Sequence, residues 1–355
     1  MLAGTAARRR RRRRLRLLRT VLVIVAIVVL VVVATRGGGK GTGATPGVAA
    51  RTSVPAPPTA APTTAPLTAL AVAHLPAVLP QAVSRADAVV QAGRLIVLGG
   101  LHGSSPGTST PQVLTLDPSS GAAQVGASLA VATHDAAAVV LGGSVFVIGG
   151  GSASTISTVQ EWTGAGARVV SHLPKPRSDI EGVVVDGHAY VIGGYDGSQP
   201  TPEVLETDDG ITFHVAATLP VAVRYPAIAV VGSTIYVIGG QSVTGPAGDG
   251  PPINDVQAVN VADGSASVLS HVPGAVTEAS AFTLRGAVFV AGGVRAGIVQ
   301  KGVFRLDPAS GTLTPVATLP EPRADAAVAT AGDTAYLIGG ESPARLASVV
   351  TLQPA

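Results

Sequence analysis

Ala189-Tyr190-Val191-Ile192-Gly193-Gly194 is an apolar run closed by a glycine doublet. Five other stretches repeat it: Leu95 to Gly100, Val145 to Gly150, Ile235 to Gly240, Val288 to Gly293 and Ala335 to Gly340. The first glycines of successive doublets lie 50, 44, 46, 53 and 47 residues apart. A recurrence at that period marks one supersecondary unit packed against copies of itself. The runs lack polar alternation, which implies strands buried on both faces, as in sheets stacked face to face. A turn glycine precedes each run, at Gly93, Gly143, Gly187, Gly232, Gly286 and Gly332, where a short hairpin demands positive φ. The doublet removes two Cβ atoms at a point where backbones have to approach closely.

Within a unit the order is constant: a strand of small residues and valines, the glycine turn, the apolar strand, a variable loop, then two further strands. The fourth strand ends in a second marker: Leu75-Pro76, Leu129-Ala130, Leu173-Pro174, Leu219-Pro220, Val272-Pro273 and Leu319-Pro320. The first of these precedes the first doublet, and the last doublet has none after it. The two ends are therefore expected to share one sheet, with Leu67 to Leu75 beside Ser348 to Leu352. That closes a ring and removes the open edges of a linear array. The expected fold is all-β, a six-bladed propeller over residues 67–355.

Composition agrees. Only 13% of the 355 residues are charged and 3% aromatic, while glycine and proline number 44 and 27, a balance that favours short strands and frequent turns. Of 24 lysines and arginines, 12 lie before residue 52, and no acidic residue precedes Asp87. The remainder carries 12 basic against 21 acidic residues, a formal charge of −9. An acidic domain is a poor match for a phosphate backbone, whose binding depends on clustered cations, so no nucleic-acid partner is expected. With no cysteine, neither disulfides nor thiolate metal sites contribute.

The N-terminus reads as a membrane address. Arg8 to Arg14 is an unbroken arginine run, followed by Arg16 and Arg19, and then Val21 to Ala34 is wholly apolar. Residues 1–19 are expected to be a cytoplasmic tail, 20–35 a transmembrane signal-anchor helix, and 36–66, rich in Gly, Thr, Pro and Ala, a disordered linker. Fourteen apolar residues span about 21 Å as a helix, short of a hydrocarbon core of roughly 30 Å. Leu15, Leu17, Leu18 and Thr20 extend the span if Arg19 reaches back to the headgroups. The positive-inside rule then places the propeller outside the cytoplasm. The alternative is a cleaved secretory signal, for which Val32 and Ala34 form a cleavage site, and the domain is exported in both cases.

The doublet at the end of the second strand, present in all six units, resembles the hallmark of the kelch repeat, and the resemblance covers residues 67–355. It implies a kelch-type propeller. The family usually places a tyrosine after the doublet and a tryptophan further on; here the corresponding strands carry Leu116, Leu205, Val259, Leu306 and Leu352, and the only tryptophan is Trp162. Galactose oxidase shares the kelch architecture, but its copper-radical chemistry uses a cysteine joined to tyrosine, and this chain has no cysteine. Bacterial sialic-acid mutarotases are also kelch propellers, which leaves a sugar-processing mutarotase or epimerase as an alternative function.

One face of the propeller collects the start of each innermost strand and the loop after each doublet. Arg-x-Asp opens the innermost strand at Arg85/Asp87, Arg177/Asp179 and Arg323/Asp325. Asp135, Asp179, Glu278 and Asp325 each stand fourteen residues before a doublet. Two readings follow: a ring of alternating charge around the channel mouth that takes a polar ligand, or arginine-carboxylate pairs between blades that hold the ring closed. On the sugar-processing alternative, Arg85, Arg177 or Arg323 would hold a substrate carboxylate, with Glu278 or an aspartate moving the proton.

Loops on a rigid scaffold carry recognition, which adds Tyr195, Asp196 and the long segments Leu101 to Gln112 and Gln241 to Asp255 as candidates. His102 and His134 are expected to approach one another on the same face. Two imidazoles without a spaced third ligand do not make a metal site, so neither a metal nor another cofactor is assigned. Nucleophile and phosphate-loop motifs are missing from the sequence. The function expected is a membrane-anchored binding or scaffold module for a protein or glycan.

Overall fold

The computed structural model describes residues 67–242 and 250–355. The expected tail, anchor helix and linker of residues 1–66, and Asp249 with the rest of 243–249, lie outside the described residues. Among the described residues no helix is long and apolar enough to cross a membrane.

The third sheet shows how sequence becomes blade. Its four antiparallel strands, from the axis outward, are Glu181–Val185, His188–Ile192, Glu203–Thr207 and His214–Thr218. Asp186 and Gly187 make the first hairpin, both with positive φ at 51° and 89°, which matches the right-handed twist of the strands they join. Alternate residues of the second strand then enter two different cores. Ala189 and Val191 pack against Phe146 and Ile148 of the preceding sheet, whereas Tyr190 and Ile192 pack with Ile228 and Ile235 of the following one. A strand covered on both faces has no polar face, hence the unbroken apolar run.

Six such four-stranded sheets are present among the described residues. Their innermost strands are Asp87–Gln91, Ala137–Leu141, Glu181–Val185, Ala227–Val231, Ser280–Leu284 and Ala327–Ala331, and each touches the next in cyclic order. One hydrophobic cluster fills each of the six interfaces between neighbouring sheets. The core is thus a ring of six interfaces around an axial channel, and the chain is a six-bladed propeller.

The glycine doublet is the joint between blades. In the second blade Gly149 and Gly150 have φ of 63° and 99°. A Cβ on Gly149 would fall well inside 3.0 Å of the Arg177 carbonyl oxygen on the third blade. That carbonyl instead accepts the N–H of Gly150 at 2.8 Å. The other five doublets repeat the contact with Thr133, Val223, Val276, Arg323 and Val83. Any side chain at the first glycine would separate the sheets.

The last blade takes its outer strand from the start of the propeller. Leu70–Val78 runs antiparallel to Ser348–Pro354, from Leu70 opposite Pro354 to His74 opposite Val350, with a register shift before Val78 meets Ser348. Arg345 fastens the same seam, donating to the carbonyls of Gly103 at 2.6 Å and Pro106 at 2.9 Å on the first blade. Trp162 stands opposite Val145 and Thr207 opposite Ala189. The third-blade counterpart of the tryptophan is therefore Thr207, not Leu205.

Candidate functional site: the axial mouth

Fourteen residues before each doublet stand Arg85, Asp135, Asp179, Tyr225, Glu278 and Asp325. All six adopt left-handed backbone, with φ between 50° and 57°. Side-chain-bearing residues avoid that region because Cβ crowds the carbonyl, at roughly 1–2 kcal/mol each. The neighbouring repeats hold them there. The N–H of Asp135 donates to the Arg85 carbonyl at 2.9 Å, Asp179 to Asp135 at 2.8 Å, and Tyr225 to Asp179 at 3.1 Å. Glu278 donates to Tyr225 at 3.4 Å, Asp325 to Glu278 at 3.1 Å, and Arg85 to Asp325 at 3.0 Å. Six bonds close a circle at the mouth of the channel, and backbone strain gathered in one place is a pointer to function.

Arg85 is the centre of this circle. Its Nη1 donates to Asp135 Oδ2 at 3.1 Å and to the Tyr225 hydroxyl at 2.8 Å, and its Nη2 lies 3.3 Å from Asp325 Oδ2. Tyr225 belongs to the fourth blade, opposite the first, so the guanidinium reaches across the opening. Arg224 lies 2.7 Å from Asp179 Oδ2, donates to the same tyrosine hydroxyl at 2.8 Å, and stacks over the rings of Tyr195 and Tyr225 at 4.6 and 4.5 Å. Tyr225 in turn hydrogen-bonds Asp179.

Carboxylates outnumber these cations. Twelve residues before their doublets, one tier below the ring, stand Asp87, half-buried, and Glu181, exposed to the channel and surrounded by its walls. Burial, aided by Asp135, pushes Asp87 up to about 8. Burial, aided by Asp87, does the same for Glu181, also to about 8. Asp179 is raised to about 7 by burial and by Asp135, against the pull of Arg224 and Tyr225. Asp135, Glu278 and Asp325 are raised as well, burial outweighing the opposing charge of Arg85. For Arg85 burial acts to weaken the charged form, but Asp135 and Asp325 more than offset it and hold the guanidinium protonated. Burial is the main cause of these raised carboxyl pKa values, and the two cations present do not offset it.

The space matches the chemistry. A cavity of about 60 Å³ lies within the ring and opens onto a wider chamber of about 300 Å³, walled by alanines such as Ala88, Ala138 and Ala229 with Asp87 and Glu181 on its sides.

Other residues singled out in the sequence stand elsewhere. Arg177 and Arg323 lie sixteen residues before their doublets, are 2% and 1% exposed, and face into their own blades. Arg177 donates to the carbonyls of Gly193 at 3.2 Å and Glu203 at 2.8 Å and to the Glu203 carboxylate at 2.7 Å. Arg323 binds the carbonyls of Gly339 and Ser348, the Ser348 hydroxyl and Glu321. Both hold a doublet in place. The three Arg-x-Asp pairs are thus not one repeated position: Arg85 is equivalent to Asp179, and Asp87 to Glu181.

His134 turns its Nδ1 to the Ser109 hydroxyl at 2.8 Å, and burial followed by the charge of Arg85 lowers its pKa. His102 lines a groove with Gln81, Ala82 and Arg345. Tyr195 supports Arg224, while Asp196 caps its own loop, accepting from the N–H groups of Ser198 and Gln199 at 2.8 Å each. Tyr225, Arg224 and Glu181 are site residues that the Arg-x-Asp pattern does not reveal. A strict count from the doublet finds Tyr225 and Glu181; Arg224 becomes visible only once Tyr225 is placed.

The comparisons agree with the architecture. The Kelch motif family model matches residues 176–205, which hold Arg177, a doublet, the inner two strands of the third blade and the start of its third. The chain is a six-bladed β-propeller with a Kelch motif in its third blade. Among solved structures the propeller is similar to one titled "Structure of YjhT", at 16% identity and a TM-score of 0.66, over 79% of this chain and 99% of that one. At that identity the likeness is one of fold. Among curated proteins it is 28% identical over 188 residues to Kelch-like protein 35 of Mus musculus, a match covering 52% of this chain and 31% of that relative. The chain therefore spans under a third of that relative's length.

Proposed function

We propose that this kelch propeller is a binding module, held at the outer face of a membrane by the segment around Val21 to Ala34, that receives a cationic group of a partner protein in its axial mouth. The observation that carries the reading is the charge imbalance there. Asp135, Asp179, Glu278 and Asp325, with Asp87 and Glu181 beneath them, face Arg85 and Arg224, and both arginines are already engaged. An arriving lysine or arginine side chain would lower the repulsion among the acids and take up their protons' place. Its narrow aliphatic stem suits an alanine-walled chamber. The membrane part of the reading is supported by the arginine run followed by an apolar segment.

The sugar-processing alternative needs an arginine free to hold a substrate carboxylate. Arg177 and Arg323 are buried within their blades, and Arg85 is shared among Asp135, Asp325 and Tyr225. The geometry therefore favours a positively charged guest over an acidic sugar.

Calorimetric titration of the full-length protein with oligolysine and with sialyllactose tests the choice. Oligolysine is expected to bind saturably, more weakly as salt rises, and more weakly in Glu278→Gln. Sialyllactose binding without oligolysine binding would overturn the reading.

A further inference from the structure

On the face opposite the mouth, the base of the third blade gathers four side chains of a different kind. His188 begins the second strand, Glu206 lies near the end of the third, Asp208 follows that strand directly, and His214 begins the outer one. Strand register brings them together. Tyr190 stands opposite Glu206, Glu206 stands opposite His214, and residues two apart on a strand share a face, so His188, Tyr190, Glu206, Asp208 and His214 converge on one side of the sheet.

These side chains pair with one another at present, close enough for one ion to replace the pairing. His188 Nδ1 lies 3.2 Å from Glu206 Oε1 and 2.5 Å from Asp208 Oδ1. His214 Nε2 lies 3.2 Å from the other oxygen of Glu206. One ligand atom each from His188, Glu206 and Asp208 falls within 4.8 Å of the other two. Ligands bound at about 2.0–2.1 Å to a tetrahedral zinc ion stand roughly 3.3 Å apart, so His188 and Asp208 need only separate slightly. Both are exposed side chains, at 45% and 70%, free to do so. Glu206 is the fixed member: it is only 18% exposed and is hydrogen-bonded by Tyr190, the outer-shell partner that orients a ligating carboxylate.

We propose that His188, Glu206, Asp208 and His214 form a binding site for a zinc-class divalent ion at the base of the third blade. Two imidazoles and two carboxylates, without thiolate, suit a borderline first-row cation better than calcium or magnesium, which take oxygen ligands. His214 reaches the ion by rotating away from the second Glu206 oxygen, completing a four-ligand shell. The ion then ties three consecutive strands of one blade together at the end away from the doublet. This assignment does not depend on what the mouth binds.

The test is zinc titration of chelator-treated, full-length protein by calorimetry, with X-ray absorption to count imidazole ligands. One equivalent of zinc bound through two imidazoles is expected. His188→Ala and Asp208→Asn should abolish the saturable phase, Tyr190→Phe should weaken it about ten-fold, and His271→Ala, which alters the His271 and Asp255 pair elsewhere, should leave it unchanged. Melting without metal reports whether each variant is folded. No saturable binding to the wild type, or equal binding in the His188→Ala and Asp208→Asn proteins, would overturn the proposal. An absorption spectrum of the wild type showing no imidazole ligand would overturn it independently of any variant.

Discussion

Arg85 and Asp135 are joined twice, once by main chain and once by side chain. The Asp135 N–H donates to the Arg85 carbonyl at 2.9 Å, and the Arg85 guanidinium donates to the Asp135 carboxylate at 3.1 Å. The double link connects the first two blades at the mouth and aims both side chains into the channel. It also merges two readings of the sequence, because the charges that hold neighbouring blades are the charges that line the opening.

Arg85→Gln removes the cation that Asp135 and Asp325 share. A buried pair broken on one side costs about 3 kcal/mol. The loss should be largest at pH 8 and smaller at pH 5, where the orphaned carboxyls take up protons instead. Denaturant unfolding at the two pH values measures it.

Asp87 carries a pH signature of its own. Its folded pKa is raised to about 8 from an ordinary value near 4, so between those values the native state holds a proton that the unfolded chain has released. Stability contributed by this group is therefore greatest below about pH 4 and falls as pH rises towards 8. Asp87→Asn should flatten that slope and stabilise the protein at pH 8 by on the order of 1 kcal/mol, channel water screening the remainder. Thermal melts from pH 4 to 9 decide it.

Arg177→Met and Arg323→Met separate structure from recognition. Each removes the guanidinium that bridges carbonyls beside a doublet to a part-buried carboxylate partner, and each should destabilise by about 3 kcal/mol while any folded fraction binds ligand at the mouth normally. Lost binding with unchanged melting would instead return these arginines to the site.

Gly149→Ala places a methyl group against the Arg177 carbonyl in a left-handed residue. A loss of at least about 2 kcal/mol is expected, with faster hydrogen exchange at Gly150, whose N–H bonds that carbonyl. Exchange mass spectrometry reads both.

The ring of blades was legible because it follows from a period. Six doublets and six turn glycines recur wherever two sheets meet or a hairpin closes, and Leu75-Pro76 standing before the first doublet marks a strand left over from another blade. The mouth was legible only in part. Arg-x-Asp is a local pattern, whereas position in a propeller is counted from the doublet, so Arg85 and Arg177 look alike in sequence yet differ by two residues in the repeat. Two residues separate a side chain in the channel from one buried in its blade. Tyr225 and Arg224 were hidden for another reason: their importance comes from reaching across the opening to Arg85 and Asp179, between repeats distant in sequence. The base of the third blade was likewise invisible, since His188 and Glu206 meet only through strand register.

Exchange of protons for a cation at the mouth is measured by titrating oligolysine into the full-length protein at pH 7 in two buffers of different ionisation enthalpy. Asp87, Glu181 and Asp179, raised to about 8, 8 and 7, should give up protons as the ammonium enters. A saturable heat is expected whose size changes with buffer in the sense of proton release, with a smaller release in Asp87→Asn. Binding with the same heat in both buffers, or no binding in either, would contradict it.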